Sequence, residues 1–125
     1  MTSDLSVLLV DDDPHACNIF KMVMEHHQLD FQIVNDAESG LQHLETAIPD
    51  VVVMDIFLPG IDGYQALSKI RQAGLVPQTR FVATTAYYTN DTPQEVIEHG
   101  FDGFIPKPFQ TMGLVDYLKD IVNKE

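Results

Sequence analysis

Val51-Val52-Val53-Met54-Asp55 is four apolar residues in succession, three of them β-branched, closed by a carboxylate. A strand with one wet face would alternate polar and apolar, so a continuous run implies a strand covered on both faces, as in a parallel sheet between helix layers. Working outward, the same kind of run recurs: Leu5 to Val10, Phe31 to Val34, Phe81 to Thr84, and Phe101 to Ile105, the last broken by Gly103. Between the runs the apolar residues fall at helical spacing. Ala16, Ile19, Phe20 and Val23 follow Asp13-Pro14, where Asp13 suits an N-cap and Pro14 the first turn. Ala37, Leu41, Leu44 and Ile48 define a second helical face, and Ala66, Leu67 and Ile70 a third, after the turn Leu58-Pro59-Gly60-Ile61-Asp62-Gly63. Thr92 to Glu95 reads as a capping box with Pro93 at the first helical position, and Gly100 stops that short helix. The last helix, Gln110 to Val122, is expected to face inward with Met112, Val115, Leu118 and Val122.

Five strands alternating with five helices predict one α/β domain over residues 1–125, with a parallel sheet built from right-handed βαβ units. The length fits one domain, and the composition, 45% hydrophobic and 21% charged, is that of a globular protein. The charge is unusual: 19 Asp and Glu against 7 Lys and Arg give −12. Such a surface repels nucleic-acid phosphates and anionic lipid, so neither direct nucleic-acid binding nor membrane association is expected. Cys17 is the only cysteine, which excludes an internal disulfide and cysteine-rich zinc sites. Met1 to Ser6 has no basic or apolar stretch of a leader, and no run is long enough to span a bilayer. A cytoplasmic location is therefore expected.

In an open parallel sheet the ligand site lies beyond the carboxyl ends of the strands. There the sequence puts Asp11 and Asp12 after the first run, Asp55 after the third, Thr84 and Thr85 after the fourth, and Lys107 after the fifth. No other lysine or arginine ends a strand, since Arg80 begins one and Lys69 and Arg71 lie on a helix. Three gathered carboxylates repel and need a compensating cation. An all-oxygen set suits Mg²⁺. A metal with a lysine can neutralise a phosphoryl group, and a carboxylate can be the nucleophile that accepts it. Taken singly, each feature has a bland reading: helix capping, a turn Asp, a β-forming Thr, a loop Lys. Their coincidence at successive strand ends is what points to a site. The five histidines are scattered and make no metal set, and Cys17 reads as packing.

The motifs Leu8-Leu9-Val10-Asp11-Asp12-Asp13-Pro14, Val53-Met54-Asp55-Ile56-Phe57-Leu58-Pro59-Gly60, Val82-Ala83-Thr84-Thr85-Ala86 and Phe104-Ile105-Pro106-Lys107-Pro108-Phe109 resemble those of two-component response-regulator receiver domains, over nearly the whole chain. The resemblance implies a flavodoxin-like, doubly wound sheet in order 2-1-3-4-5 flanked by five helices. It implies Asp55 as phosphoacceptor from a sensor histidine kinase or phosphotransfer protein. Mg²⁺, with Mn²⁺ as an alternative, would be held by Asp12, Asp55 and the Phe57 backbone carbonyl, and by Asp11 through water. Thr85 and Phe104 would be the switch residues, and Lys107 would pair with Asp55 across a cis Lys107–Pro108 bond. Such a domain catalyses only its own phosphotransfer and dephosphorylation.

The family's positions for Phe57 and Tyr87 flank the route of the hydrolytic water, and two bulky aromatics there imply a long-lived phosphoryl group. The output is expected in a downstream protein or a fused domain, with a phosphorylation-dependent homodimer as an option. Three alternatives stand beside this reading. A haloacid-dehalogenase-like phosphatase also begins from Asp-x-Asp, but His15 departs from its motif and the chain is short for it. A flavodoxin-like cofactor protein would set three acids against a flavin phosphate. A phosphorylation-independent pseudo-receiver would not need the complete set of acids, threonine and lysine.

Overall fold

The computed structural model describes residues 5–124, so Met1 to Asp4, within the stretch read as lacking a leader, lie outside the described residues. The chain alternates β1 (Ser6–Val10), α1 (Pro14–His26), β2 (Asp30–Val34), α2 (Ala37–Leu44), β3 (Val51–Asp55), α3 (Gly63–Gln72), β4 (Arg80–Thr85), α4 (Thr92–Glu98), β5 (Gly103–Pro106) and α5 (Leu114–Asn123). All four strand pairings are parallel, in the order β2-β1-β3-β4-β5. The expected α/β class, strand order and helix number are those observed.

Alternation along each strand divides the core in two. Leu9, Val51, Val53 and Val82 face α1 and α5, where Phe20, Met24, Leu118 and Phe109 fill the layer. Leu8, Val10, Val52, Met54 and Phe81 face the opposite way, against Leu44, Leu67, Ile70 and Val96 of α2, α3 and α4. Every residue of β3 is buried, as its unbroken apolar run requires. At the entry to α3, Gly63 packs so closely beneath β3 that a Cβ would stand 2.7 Å from the Asp55 carbonyl oxygen. Glycine there lets the helix start directly under the strand that presents Asp55.

Element ends depart from the sequence reading in four places. α2 stops at Leu44: the Thr46 and Ala47 N–H groups turn back onto the His43 carbonyl, and Ile48 is left 77% exposed. α5 begins at Leu114 because Gly113, at φ 89°, sets a left-handed turn before it. Its inner face is therefore Leu114, Val115, Leu118 and Ile121, with Met112 exposed and Val122 only partly covered. The capping box does not form. Thr92 is itself the first helical residue, and its hydroxyl accepts the Thr89 N–H at 2.9 Å. β5 starts at Gly103, not Phe101, because the Phe101 N–H still closes the end of α4 on the Val96 carbonyl, with Gly100 at φ 103°.

Candidate phosphoryl and metal site

The carboxyl ends of β1, β3, β4 and β5 bring the expected residues together. Asp11, Asp12 and Asp55 each offer an oxygen within 4.8 Å of the other two. Asp11 and Asp55 are buried, while Asp12 is exposed at the mouth. The Lys107 ammonium sits between the buried pair, 2.9 Å from Asp55 Oδ2 and 2.9 Å from Asp11 Oδ2, with Asp13 at the edge of ion-pair range, 3.9 Å away. Asp55 is fixed through both oxygens, because its Oδ1 accepts the Phe57 N–H at 2.9 Å. Asp13 also caps α1, its Oδ1 accepting the His15 N–H at 3.0 Å.

Burial pushes the Asp11 carboxyl above its ordinary pKa, and the nearby Asp55 charge adds to this, against hydrogen bonds from the Asp13 N–H and Lys107. For Lys107, burial favours the neutral amine, but hydrogen bonds to Asp55 and Asp11 outweigh it and hold the ammonium above its ordinary pKa. The ammonium's hydrogen bond to Asp11 runs to Oδ1 at 3.1 Å. Oδ2 gains Coulomb attraction but is left buried without a hydrogen bond. An all-oxygen cluster with one ammonium for three carboxylates, and with one orphaned buried oxygen, fits a hard divalent cation.

A carboxyl whose folded pKa is raised adds stability below its unfolded pKa and loses it as pH rises through the folded one. In EDTA, Asp11→Asn should therefore gain in melting temperature over the parent as pH rises from about 4 to about 8. Saturating Mg²⁺ should shift that difference back toward the parent, since a ligand bound only to the folded state stabilises it. Thermal melts of both chains, with and without Mg²⁺, check this.

The two threonines separate by role. The Thr84 hydroxyl is committed inside the sheet, donating to the Ile105 carbonyl at 2.6 Å. The Thr85 hydroxyl accepts the Tyr87 N–H at 3.0 Å, while the Thr85 carbonyl accepts the Lys107 N–H at 3.0 Å. Thr85 is thus tied to the loop carrying Tyr87 and to Lys107. The Lys107–Pro108 bond is cis. Phe57 and Tyr87, 56% and 80% exposed, meet edge to face with ring centroids 5.9 Å apart. Phe104 is half-buried, its ring 5.9 Å from that of Tyr88.

Two supporting residues escaped the sequence reading. Asn35 Nδ2 donates to the Asp11 carbonyl at 2.9 Å, and the Tyr117 hydroxyl accepts the Phe104 N–H at 2.9 Å. Neither sits at a motif. The only hint was Gly103, whose missing Cβ leaves room for the Tyr117 hydroxyl.

A doubly wound sheet that gathers three acids, a threonine and a lysine at its carboxyl edge defines a receiver-type domain. The chain belongs to the response regulator receiver domain family, whose sequence model matches residues 7–119. It is 32% identical over 121 residues to the chemotaxis protein CheY of Halobacterium salinarum, covering 93% of this chain and 95% of that protein. It is 30% identical to the transcriptional regulatory protein TrcR of Mycobacterium tuberculosis over 98% of this chain, and spans only 47% of TrcR. Among solved structures, a CheY-like receiver domain protein from Methanospirillum hungatei superposes with a TM-score of 0.83 at 25% identity, covering 96% of this chain and 94% of that one. The receiver domain of a Pseudomonas aeruginosa sensor histidine kinase, solved with a magnesium ion in its active-site cleft, shares the fold at TM-score 0.84 and 23% identity, covering 96% and 98% of the two chains.

Proposed function

We propose that Asp55 accepts a phosphoryl group from the phosphohistidine of a sensor kinase or phosphotransfer protein. The observation that supports this most is the Lys107 ammonium, 2.9 Å from both Asp11 and Asp55, in a cluster that offers a nucleophilic carboxylate beside fixed positive charge. The Asp55 O–P bond forms as the histidine P–N bond breaks, and the imidazole leaves. Asp12, Asp55 and the Phe57 carbonyl would hold Mg²⁺, with Asp11 bound to it through water. Bound Mg²⁺ supplies charge neutralisation for the phosphoryl oxygens. Mn²⁺ has the same oxygen preference and is the alternative ion.

The Thr85 hydroxyl, which accepts the Tyr87 N–H, then turns inward to donate to a phosphoryl oxygen, and Phe104 moves into the space it vacates. The face formed by α4, β5 and α5 changes shape, a two-state equilibrium biased by a local charge. α4, at seven residues, is short enough for its own stability to be marginal. The domain turns over nothing but its own phosphoryl group. Its expected setting is the cytoplasm, with the output in a downstream protein, a fused domain or a phosphorylation-dependent dimer. No helix among the described residues is long and apolar enough to cross a membrane.

With acetyl phosphate and Mg²⁺, incorporation should saturate near one phosphoryl group per chain. Continued release of phosphate from a phosphomonoester would favour the phosphatase alternative.

The Phe57 and Tyr87 rings, in edge-to-face contact two residues beyond Asp55 and Thr85, offer no carboxylate or amide to orient water. The aspartyl phosphate should therefore be long-lived. The double variant Phe57→Asn, Tyr87→Glu should speed its decay by about tenfold or more, below the usual contribution of a positioned proton acceptor. An unchanged decay rate would leave the pair as mere cover.

A further inference from the structure

A groove of about 390 Å³ runs between β5 and the start of α5, walled by Phe104, Ile105, Pro106, Met112, Leu114 and Tyr117. Met112 is 87% exposed on its rim. Across β5, Tyr88 and Ile97 add half-exposed apolar surface, the Tyr88 ring lying against that of Phe104. His99, which ends α4, stacks on Tyr64 of α3, so Ile97, two residues back, falls on the flank of α4 away from α3.

The surroundings of the groove are acidic. Tyr117 faces β5, its hydroxyl accepting the Phe104 N–H at 2.9 Å. Asp120 is the neighbour of Tyr117 one turn along α5, and Asp116 lies a turn back from Asp120, both exposed. Lys119 neighbours Val115 and Val122 and so sits on the opposite flank, and Lys124 follows the helix end, two turns beyond Tyr117. On α4, Glu98 is exposed beside Ile97. The ion pairs among the described residues all belong to Lys107. β5 is an edge strand, yet its backbone is closed to a further strand. Outward N–H groups come from alternate residues: that of Phe104 is taken by Tyr117, and Pro106 has none.

We infer that this face docks a basic amphipathic helix of a partner protein, its apolar residues seated in the groove and its lysines or arginines set against Asp116, Asp120 and Glu98. This rests on the switching of the α4–β5–α5 face proposed above and names the partner that the switch serves. A blocked strand edge beside an apolar groove favours a helix over an extended segment. Charge decides against a second copy: a symmetric pair joined through this patch would set its acids against one another, on chains of −12 each. A basic partner instead meets complementary charge around an apolar anchor. Phe104 forms part of the groove wall, so its inward movement on phosphorylation would deepen the groove and tighten the dock.

The test is titration of the ¹⁵N-labelled chain, in Mg²⁺ with and without acetyl phosphate, with an alanine-based helical peptide of about 16 residues carrying two central leucines one turn apart and lysines in the flanking turns. The amides of Phe104, Met112, Gly113 and Tyr117 should move saturably, with a Kd of about 1 mM or lower, and phosphorylation should lower that Kd about threefold or more. Replacing the leucines by alanine should weaken binding at least about tenfold, and replacing the lysines by glutamate should abolish it. The exposed double variant Asp116→Asn, Asp120→Asn should weaken it about fivefold. The inference is overturned if these amides stay in place in both states, or if the alanine or glutamate peptide acts as the parent peptide does. It is equally overturned if phosphorylation leaves the affinity unchanged, or if the same amides shift with chain concentration alone, which would make the occupant a second copy. Intact mass of the same sample keeps the two claims apart. A phosphorylated chain that ignores the peptide overturns the dock alone, whereas a chain that binds it here but takes up no phosphoryl group upholds the dock and overturns the role of Asp55.

Discussion

Asp55→Asn is expected to fold and melt close to the parent while phosphoryl incorporation falls to background. The asparagine Oδ1 still accepts the Phe57 N–H, so the side chain keeps its position. The amide presents a donor toward Lys107 in place of Asp55 Oδ2, which costs a hydrogen bond and an ion pair. Removing one of three crowded carboxylates offsets that cost. The net change in stability should stay within about 1 kcal/mol. A carboxamide is no nucleophile toward phosphorus, so the chemical effect is complete rather than graded. Intact-mass measurement after incubation with acetyl phosphate and Mg²⁺ reads the incorporation, and thermal melting reads the stability. Incorporation at the parental level would remove Asp55 from its assigned role.

Lys107→Ala should give the largest loss of stability of any single change at the site. It leaves Asp11, fully buried, and Asp55, 5% exposed, facing each other with no cation. Breaking a buried ion pair by removing one partner costs about 3–5 kcal/mol, and the low end applies because the cluster opens to solvent at Asp12. About 3 kcal/mol corresponds to a fall of about 10 °C in melting temperature for a domain of this size. The sign with pH follows from the raised Lys107 pKa. The ammonium's contribution is fully present below the unfolded lysine pKa and is lost only as pH rises through the higher folded value. The deficit should therefore appear at neutral pH. It should shrink on acidification as the buried Asp11 carboxyl, whose pKa is raised by burial, takes up its proton, and Mg²⁺ should recover part of it by supplying the missing charge. Equal melting temperatures in EDTA at neutral pH would mean that the ammonium compensates nothing.

The site was legible in the sequence because its members sit at strand ends, where an apolar run breaks abruptly into a polar residue. Asp11 and Asp55 mark such breaks directly, and Lys107 stood out as the one cation beyond a strand's carboxyl end. The choice of Thr85 over Thr84 came from the family motif, and the geometry gives it a reason: the Thr84 hydroxyl is consumed by the Ile105 carbonyl. Helix ends were less legible. Apolar spacing continues to Ile48 and Met112, although the backbone has already left the helix at Leu44 and has not yet entered one at Met112. Periodicity records which side chains could share a face, whereas local turns decide where the helix stops. Asn35 and Tyr117 were invisible for another reason. Each supports a backbone group 24 and 13 residues away respectively, a pairing made only by packing the elements together.

The central claim is phosphoryl acceptance on Asp55, and locating the label tests it most directly. The wild-type chain is phosphorylated with acetyl phosphate and Mg²⁺, the acyl phosphate is trapped by borohydride reduction, and its position is read by peptide mass spectrometry. The predicted result is a single modified residue, Asp55, whose modification disappears in EDTA. Modification at Asp11, Asp12 or a histidine, or labelling indifferent to the metal, would contradict the account.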